Sequence, residues 1–397
     1  MLSRLLLFVL FSYSLIANAQ WKKIYNSNTN DLFDVQLIGN IGYICGFSST
    51  MLKTTDTGKT WKPITLPIFL NARCVYFKDS AIGFVTGENA RILKTTNGGI
   101  SWTQKFIKTA AYTNDITFNG NFGLAVGNNF MAIRSSDFGE TWQNDNTFFS
   151  RKKLNNVCIM PSGKCFAVGD SGFILSKHIT DNTWKKLPFI TKINLNDIQY
   201  LNDSTLIICG GMQDTAGASS VYKNVVLYSN DTGNSWQQSS FNEMRIINKA
   251  WYSNKDTAYF VGSSGLISKS HELLNNRSLQ LTSTANTINS VSFENNTGIS
   301  VGDGGLILRT SNAGGFRLNA PNIQIQNYSI VYPNPSTGYI NFTQNDIQDI
   351  LITDITGKKV SFEWINNQQI NITAKGFFFI EVVMPNGAKQ GVKVAIF

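Results

Sequence analysis

The sequence predicts an all-β protein in which one unit of four short strands is repeated along most of the chain. Short apolar runs that end in glycine recur with a nearly constant spacing. Within each unit apolar and polar residues alternate, as they do in strands, and no segment sustains a helical period. The glycines are Gly46, Gly87, Gly127, Gly169, Gly210, Gly262 and Gly302, which are separated by 41, 40, 42, 41, 52 and 40 residues.

Each unit has the same order of elements. It opens with an alternating strand such as "FDVQL" or "NDITF", and a second strand such as "GYICG" or "GFVTG" ends at the repeated glycine. A third strand such as "RILKT" or "MAIRS" follows, then a turn, then a tryptophan that starts a fourth strand. Four antiparallel strands in about 40 residues is the size of one β-propeller blade. The seven glycines therefore predict a seven-bladed β-propeller over residues 20–318.

The turn between the third and fourth strands has a fixed composition. In residues 54–61 we expect Asp56 to accept hydrogen bonds from its own turn, Gly58 to adopt a positive φ, and Trp61 to be buried between blades. Each blade thus uses the turn as a clasp between these strands. The four clear copies are Thr54, Asp56, Gly58 and Trp61; Thr95, Asn97, Gly99 and Trp102; Ser135, Asp137, Gly139 and Trp142; and Ser229, Asp231, Gly233 and Trp236.

These copies resemble the Asp-box (BNR) repeat of sialidase-like and photosystem II assembly-factor-like propellers. The resemblance implies that the boxes are structural and remote from any active centre. The fourth blade keeps Trp184 but lacks the Asp and Gly, and the seventh has Arg317 where Trp is expected. "WKKIY" at 21–25 precedes the first complete blade. We predict that this segment, led by Trp21, is the fourth strand of the seventh blade and closes the ring.

Both ends of the chain differ from the repeat. Residues 1–19 contain a basic residue, an apolar run and small residues before the expected cleavage point, which predicts a secretory signal peptide. Residues 319–328 are rich in Asn and Gln and are predicted to be a linker. Residues 329–397 contain short alternating strands with glycine turns, and they predict a small C-terminal immunoglobulin-like β-sandwich.

This last segment contains two short motifs. They consist of Tyr332, Pro333, Asn334, Pro335 and Gly338, followed by Asp354, Gly357 and Lys358. With these motifs the segment resembles the type A C-terminal sorting domain of type IX secretion systems. The resemblance implies that the secretion machinery is a partner, and that the protein passes through the periplasm and outer membrane to be released or anchored at the cell surface. A carbohydrate-binding accessory sandwich is the alternative interpretation.

Charge and cysteine content set weaker limits. The formal net charge is +9, which weakly favours acidic partners and says nothing about the fold. Five cysteines are an odd number for an exported chain. Cys45 and Cys209 each stand just before a repeated glycine and are predicted to be core residues. Cys158 and Cys165 flank a hairpin, and the sequence leaves their pairing open.

The sequence contains little that predicts catalysis. His178 and His271 fall at matching positions two blades apart, so they do not converge on one site. There is no C-x-x-C pair and no phosphate-binding glycine loop, and we expect no metal, no cofactor and no nucleic-acid partner. The Arg cluster and Tyr–Glu pair of sialidases cannot be assigned, and xyloglucanases of this kind use a cleft between two propellers. A carboxylate pair for glycoside hydrolysis stays open.

Two features are candidate binding elements. The first is a basic column just before the box Ser or Thr, interpreted either as solvated charge or as a positive ring that meets an acidic partner. The second is the long loop at 211–224 in the fifth blade, where Gln213, Asp214 and Tyr222 are candidate contacts, because inserted loops often carry function. The basic column consists of Lys53, Lys94, Arg134, Lys269 and Arg309.

These observations favour one function class over another. The favoured hypothesis is a secreted or cell-surface propeller, monomeric and non-enzymatic, that binds an acidic protein or a glycan. The alternative is a sialidase- or xyloglucanase-like glycoside hydrolase whose active site the sequence does not reveal.

Overall fold

The chain forms two compact units, residues Met1–Gly315 and Phe316–Phe397. The computed structural model describes residues 21–25, 28–107, 111–145, 152–214, 221–239, 245–254, 257–271, 274, 276–280, 282–313, 331–332, 337–342, 347–354, 358–383 and 389–396. The predicted signal peptide (1–19), the predicted linker (319–328), Arg317, Pro333, Asn334, Pro335 and Gly357 lie outside the described residues. The division into 20–318, 319–328 and 329–397 stays a prediction.

In the first unit the described residues form seven four-stranded antiparallel sheets. The first four blades contain β2 (Leu32–Ile38), β3 (Ile41–Gly46), β4 (Met51–Thr54) and β5 (Lys62–Pro63); β6 (Ala72–Phe77), β7 (Gly83–Gly87), β8 (Ile92–Thr95) and β9 (Thr103–Lys105); β10 (Thr113–Asn119), β11 (Phe122–Gly127), β12 (Ala132–Ser135) and β13 (Gln143–Asn144); and β14 (Leu154–Ile159), β15 (Lys164–Gly169), β16 (Phe173–His178) and β17 (Lys185–Lys186).

The remaining three blades continue the order. They contain β18 (Leu195–Tyr200), β19 (Leu206–Asp214), β20 (Val221–Ser229) and β21 (Gln237–Ser239); β22 (Ile247–Asn254), β23 (Thr257–Gly262), β24 (Leu266–His271) and β25 (Asn276–Leu279); and β26 (Ile288–Glu294), β27 (Thr297–Gly302) and β28 (Leu306–Thr310), joined by β1 (Lys22–Lys23). Short 3₁₀ turns at Glu88–Ala90, Asn128–Phe130, Asp170–Gly172 and Asp303–Gly305 link second and third strands. None of the helices described is long and apolar enough to cross a membrane.

The seventh sheet is completed from the other end of the chain, as the sequence predicts. Its strand order is β1-β28-β27-β26, with Lys22 opposite Arg309 and Lys23 opposite Leu308. Trp21 is fully buried, and its ring meets Phe293 edge-on with 5.6 Å between the ring centroids. The predicted ring closure is confirmed, and the ends of the first unit are joined by backbone hydrogen bonds rather than by loop contacts.

The repeated turns, hereafter the box turns (54–61, 95–102, 135–142 and 229–236), share one hydrogen-bond pattern. In the first, the hydroxyl of Thr54 donates to Asp56 Oδ1 at 2.7 Å and accepts from the Gly58 N–H at 3.0 Å. Both the N–H and the hydroxyl of Thr60 donate to Asp56. In the last box turn, hydrogen bonds from the hydroxyl and N–H of Ser235 lower the pKa of Asp231 to about 2. The carboxylate therefore stays ionised as an acceptor.

The second box turn keeps this pattern without a charged acceptor. Asn97 stands where the other three turns have Asp, and its Oδ1 accepts the Thr95 hydroxyl at 3.0 Å and the Ser101 N–H at 2.9 Å. The Gly99 N–H donates to the Thr95 hydroxyl at 3.0 Å, as Gly58 does to Thr54. The turn therefore requires an oxygen acceptor at this position and not a negative charge.

The glycines of the box turns have the positive φ that the sequence predicts, and they also allow close packing. A Cβ atom would lie 2.4 Å from the Phe84 ring at Gly139, and 2.4 Å from the Phe166 ring at Gly233. Both rings belong to the preceding blade, so a side chain at these glycines would push the two blades apart. The φ values are 77° at Gly58, 84° at Gly99, 75° at Gly139 and 73° at Gly233.

The tryptophans of the box turns are less completely enclosed than the sequence predicts. Trp102 is buried, whereas Trp61, Trp142 and Trp236 are only half-buried. Each immediately precedes a two- or three-residue strand at the outer edge of its blade. The indole N–H groups of all four have no hydrogen-bond acceptor among the described residues, so these rings act through packing. Their ring contacts include Trp102 with Phe77, Trp142 with Phe118 and Trp236 with Phe166.

Each box turn is also fixed to the first hairpin of its own blade. Thr57 and Gly58 both have a positive φ, 58° and 77°, which turns the Thr57 N–H towards the hairpin carbonyl of Asn40 at 2.9 Å. Equivalent bonds join Gly98 to Ala81, Phe138 to Asn121, Thr232 to Ser204 and Ala313 to Asn296. Box turns and first hairpins consequently share one face of the propeller, the box face. The second-to-third-strand loops lie on the opposite face.

All five cysteines are buried and unpaired. The pairing of Cys158 with Cys165, left open by the sequence, is thus absent from the structure. The Cys165 thiol donates instead to the carbonyl of Gly163 at 3.5 Å. Cys45 and Cys209 are core residues, as predicted.

The second unit contains two sheets in its described residues. Their orders are β29-β30-β33-β32 and β31-β34-β35, and the immunoglobulin-like arrangement stays a prediction. Gly338 has a φ of 119°, which glycine tolerates, and the Lys358 N–H donates to Asp354 Oδ1 at 3.1 Å. Tyr332 lies in the first of these strands. The strands are β29 (Val331–Tyr332), β30 (Tyr339–Phe342), β31 (Asp349–Asp354), β32 (Glu363–Asn366), β33 (Gln369–Asn371), β34 (Gly376–Val383) and β35 (Lys389–Ile396).

Replacing the closing tryptophan should destabilise the propeller strongly. We expect Trp21→Ala to lower the free energy of unfolding by about 3–5 kcal/mol, because it leaves a large cavity against Phe293 and loosens the only strand that joins the two ends of the first unit within the described residues. Urea unfolding followed by tryptophan fluorescence measures this. Tyr25→Ala, at a residue that is 91% exposed, is the control, and equal effects of the two changes would contradict the prediction.

Candidate binding site at the propeller axis

The innermost strand of every blade presents one side chain to the axis at the same register. In each blade this side chain follows a bulge that shifts the pairing between the first and second strands. The seven side chains, hereafter the axial ring, are Asp34, Cys74, Asp115, Asn156, Asp197, Lys249 and Ser290.

The axial ring is tied to the backbone of neighbouring blades. Asp34 Oδ2 accepts the Val75 N–H at 3.1 Å, and Asp115 Oδ2 accepts the Val157 N–H at 3.0 Å. Asn156 Oδ1 accepts the N–H of Ile198, and Asp197 Oδ2 accepts that of Ala250. The innermost strand is a sheet edge whose N–H groups would otherwise lack partners in the interior. These side chains therefore supply the acceptors that strand pairing cannot supply between blades.

A second column of asparagines makes the complementary bonds. Each Asn stands immediately before an axial-ring residue, and its side-chain amide donates to the carbonyl of the next blade's first inner-strand residue. The column passes through the ring closure, because Asn289 of the seventh blade donates to Leu32 of the first at 2.9 Å. The other pairs are Asn114 to Leu154, Asn155 to Leu195, Asn196 to Ile247 and Asn248 to Ile288.

Charge in the axial ring is unevenly balanced. Lys249 Nζ lies 3.1 Å from Asp34 Oδ1, which also accepts the Ser290 hydroxyl at 2.7 Å. Burial acts to lower the pKa of Lys249, but the carboxylates of Asp34, Asp197 and Asp115 hold it well above its usual value. Burial raises the pKa of Asp115 to about 7, against the opposing charge of Lys249. Burial also raises the pKa of Asp197, and around neutral pH Asp115 is a titrating carboxyl of the ring.

The axial cysteine does not act as a thiolate. Burial raises the pKa of the Cys74 thiol well above its usual value, and the carboxylate of Asp115 raises it further. The thiol donates to Asp115 Oδ1 at 3.1 Å, so both oxygens of this carboxyl have donors. In the described part of the chain, no group of three or more His, Cys, Asp or Glu side chains is placed to hold a metal ion.

The channel opens on the box face as a pocket of about 140 Å³. Its floor includes the axial-ring residues Asp34, Cys74, Asp115, Asn156 and Lys249. Its rim carries the aromatic side chains of Tyr76, Tyr200 and Trp251. Tyr200 is exposed, while Tyr76 also packs on Phe118 of the next blade. Burial, and to a lesser extent the neighbouring Tyr200, raise the pKa of Tyr76 to about 12, and burial also raises that of Tyr200. The mouth therefore offers aromatic faces and two neutral hydroxyls above a polar floor that is already hydrogen-bonded.

The predicted basic column has intramolecular partners. Its side chains reach from the third strand of one blade to the turn before the fourth strand of the next, and Lys94 also pairs with Glu140 at 2.7 Å. Whether these groups also meet an acidic partner stays a prediction. The contacts are Lys53 to the carbonyl of Gly98, Lys94 to that of Phe138, Arg134 to the side chain of Asn182, Lys269 to the carbonyl of Ala313 and Arg309 to that of Thr57.

The long loop of the fifth blade has an ordered stem. Residues 211–214 continue β19 and pair with 221–224 of β20, so Gln213 lies opposite Tyr222. Asp214 forms an ion pair with Lys223 at 2.7 Å. The tip of the loop, residues 215–220, lies outside the described residues. The stem extends from the face opposite the box turns, so the loop residues and the aromatic mouth are at different ends of the channel.

The box turns lie apart from the channel. Their residues join the third and fourth strands, whereas the channel pocket is lined by first-strand residues of the first six blades, at the opposite edge of each sheet. The pocket lining contains no box-turn residue, so Asp56, Asn97, Asp137 and Asp231 all lie outside it. This position fits the structural role that the resemblance implies for them.

The axial ring and the asparagine column were not predicted from the sequence. The sequence did contain a signal, because Asn is the second residue of each of five opening strands. From this Asn the strands read "NDITF", "NNVCI", "NDIQY", "NKAWY" and "NSVSF". Apolar alternation identifies those strands, but it says nothing about the polar positions between. The function of these polar residues follows from contacts with a strand about 40 residues away.

Comparison with known proteins gives two family-model matches. Residues 61–147 match the model of the photosynthesis system II assembly factor YCF48, and residues 330–396 match that of the secretion system C-terminal sorting domain. No curated protein matches the chain in sequence. The second match indicates export by type IX secretion to the cell surface or beyond.

Solved structures similar to this chain include propellers with different functions. YCF48 bound to D1 peptide has 21% identity and a TM-score of 0.61, covering 73% of this chain and 96% of its own. YCF48 from Cyanidioschyzon merolae has 15% identity and a TM-score of 0.59, covering 73% and 98%. An ancestral GH74 enzyme has 14% identity and a TM-score of 0.57, covering 94% of this chain and 63% of its own. At these identities the likeness establishes the propeller fold alone.

The buried axial carboxyl should make stability pH-dependent. Because the pKa of Asp115 is raised from 3.8 to about 7, its contribution to stability is complete below about pH 4 and is lost as the pH rises to about 7. Asp115→Asn should remove this loss, since an amide still accepts the Val157 N–H, as Asn156 does for Ile198. Urea midpoints measured from pH 5 to pH 8 should fall less steeply for the variant.

The exposed Asp203→Asn change removes the same formal charge and is the matched control. An unchanged pH dependence in Asp115→Asn, or the same reduction in Asp203→Asn, would refute the assignment.

Proposed function

We propose that this protein is an exported, non-enzymatic propeller that binds another protein at the aromatic mouth of its channel. The C-terminal segment supplies the means of export, since residues 330–396 match a secretion system sorting domain. The propeller itself supplies the binding surface. The mature protein acts at the cell surface or after release from it.

The observation that carries this proposal is the state of the groups below the mouth. Asp34 and Asp115 have donors on both of their carboxylate oxygens, and the Cys74 thiol is protonated and buried. A nucleophile or general base needs a reactive lone pair within reach of a substrate. The lone pairs of these two carboxylates accept hydrogen bonds that join neighbouring blades. A rim of Tyr76, Tyr200 and Trp251 remains, with side chains typical of binding hot spots.

The chemistry of the rim favours a peptide segment as ligand. Aromatic rings bury apolar side chains, and the tyrosine hydroxyls donate to and accept from a peptide backbone. A solved propeller of similar fold is bound to a D1 peptide, which supports the choice without identifying the partner here. A glycan ligand is the other form of the proposal, because flat aromatic rings also stack on sugars.

A glycoside hydrolase is the second candidate function. Two observations favour it: the similarity of fold to an ancestral GH74 enzyme, and an axial carboxyl, Asp115, whose pKa of about 7 suits a general acid. Hydrolysis assays on polysaccharides distinguish the two functions. Turnover that is lost in Asp115→Asn would establish the enzyme and reject the binding proposal.

Export should depend on the C-terminal segment and folding of the propeller should not. In a bacterium with a type IX system, a chain that lacks residues 329–397 should accumulate in the periplasm as a folded propeller. Cell fractionation and protease accessibility measure this. A reporter that carries residues 319–397 behind a signal peptide is the reciprocal control and should reach the surface. Surface display of the truncated protein would contradict the proposal.

Binding should depend on the mouth. A displayed peptide library and a glycan array, applied to the full-length protein, identify ligands of each class. Trp251→Ala and Tyr200→Ala should each weaken an identified ligand about tenfold or more, as expected for central aromatic contacts. Phe106→Ala removes an aromatic residue that is 85% exposed and follows β9, towards the opposite face, and it should have no effect. Full affinity in both mouth variants would place the ligand elsewhere.

A further inference from the structure

A cavity of about 230 Å³ lies between the third and fourth blades, away from the axis. It occurs where the repeat is broken, because the turn of the fourth blade, residues 178–184, lacks the Asp and Gly of a box turn. Elsewhere the basic column donates to a backbone carbonyl of the next blade's turn. Here Arg134 Nη1 donates instead to the side chain of Asn182 at 3.1 Å. The cavity is lined by Phe122, Arg134, Ser136, Thr141, Gln143 and Ile179.

Charges behind this cavity are not balanced. Lys177 Nζ lies 2.5 Å from Asp145 Oδ2, and the two side chains are 0% and 1% exposed. Arg134 Nη1 lies 3.5 Å from Asp145 Oδ1, within ion-pair range but too far for a good hydrogen bond. Two cations therefore share one buried carboxylate, leaving one positive charge in excess. The excess charge lies on Arg134, whose side chain is 31% exposed, so an opposite charge in the cavity would be attracted to it.

Neighbouring carboxylates do not supply that charge. Asp181 Oδ2 accepts the His178 N–H at 3.0 Å, and Glu140 is engaged by Lys94 and Lys105. Among the described residues neither carboxylate forms an ion pair with Arg134 or Lys177. The cluster of Arg134, Lys177 and Asp145 therefore lacks an anionic partner in the described part of the fold.

Hydrogen-bonding capacity at the cluster is also incomplete. Asp145 Oδ2 accepts both Lys177 and the indole N–H of Trp184, while the buried Oδ1 accepts no hydrogen bond from any described residue. Arg134 is 31% exposed and has one hydrogen bond, through Nη1, so Nε and Nη2 have no acceptor among the described residues. A guanidinium with two unoccupied edges at a cavity wall is suited to bind a carboxylate.

We propose that this cavity, the inter-blade cleft, binds the carboxylate of an acidic side chain of a protein ligand, with Arg134 as its charge partner. The apolar walls from Phe122 and Ile179 accommodate the methylene stem of Asp or Glu. Thr141 is committed to Asp137 through its N–H and hydroxyl, so few polar groups would remain for the many hydroxyls of a sugar. The inference rests on the proposed protein-binding role, but its test does not involve the channel mouth.

The experiment compares two capped tripeptides that differ only in a central Glu or Gln. Isothermal titration of the full-length protein should show the Glu peptide bound about tenfold more tightly than the Gln peptide, as expected for a hydrogen-bonded charge pair. The preference should decrease with added salt, because Arg134 is partly exposed. Arg134→Gln should abolish the preference for the Glu peptide. Arg134→Lys keeps the charge but loses the paired N–H donors of the guanidinium, so it should reduce that preference.

Arg309→Gln is the matched control, because Arg309 belongs to the same column but donates to the Thr57 carbonyl. It should leave the preference intact. Equal affinity of the unmodified protein for the two peptides would overturn the proposal without any variant having to fold. Tighter binding of a glucuronate disaccharide than of the Glu peptide, also lost in Arg134→Gln, would overturn it in favour of an acidic glycan. The Trp251→Ala and Tyr200→Ala variants test binding at the channel mouth. If they left the affinity for other ligands unchanged, the expected results for the Glu and Gln peptides would stay the same.

Discussion

The propeller depends on how its innermost strands find hydrogen-bond partners. Seven sheet edges converge on one axis, and their twist prevents them from pairing with one another, so each edge exposes backbone N–H and C=O groups inside the protein. Side chains of the axial ring accept the N–H groups, and the asparagine column donates to the carbonyls. The same contacts pass from the seventh blade to the first, where Asn289 reaches Leu32. Because Trp21 and its strand hold these two blades in register, the axial contacts and the ring closure support each other.

This requirement also explains the unusual electrostatics of the axis. Where a ring side chain accepts the N–H of the next blade, both Asp and Asn can do so; Asp115 and Asn156 make equivalent bonds. The box turns show the same equivalence at the surface, where Asn97 replaces Asp. An Asp at the axis, however, is a carboxyl in a buried setting, and burial raises the pKa of Asp115 to about 7. A perturbed carboxyl at a channel is often taken as a sign of catalysis, but here its lone pairs have a structural use.

Binding groups are more readily available where the repeat is interrupted than within a regular blade. In a regular blade the axial-ring and basic-column side chains bind the neighbouring blade, whereas the box turn bonds to the first hairpin of its own blade. Where a blade departs from the repeat, its polar side chains are no longer required for these contacts. The fourth blade lacks a box turn, which leaves a cavity beside Arg134, and the fifth has a lengthened hairpin that projects from the face opposite the box turns. The aromatic residues of the channel mouth lie beyond the axial ring, where Tyr76 also packs on Phe118 of the next blade.

The sequence by itself determined the elements that depend on local pattern. Alternating apolar residues, the repeated glycines and the turns around Asp56 predicted the strands and their order, and the missing seventh tryptophan predicted the role of Trp21. The C-terminal motifs similarly indicated the sorting segment, which a family model also matches. Tertiary structure decided what the polar residues do. The sequence offers Lys94 as solvated or partner-binding charge, yet it reaches a turn in the following blade, and Asp115 bonds a strand about 40 residues away. The repeat in the sequence shows which residues occupy equivalent positions in successive blades. Their hydrogen-bond partners depend on the rotation of one blade relative to the next. Only the packing of the sheets into a closed ring fixes that rotation.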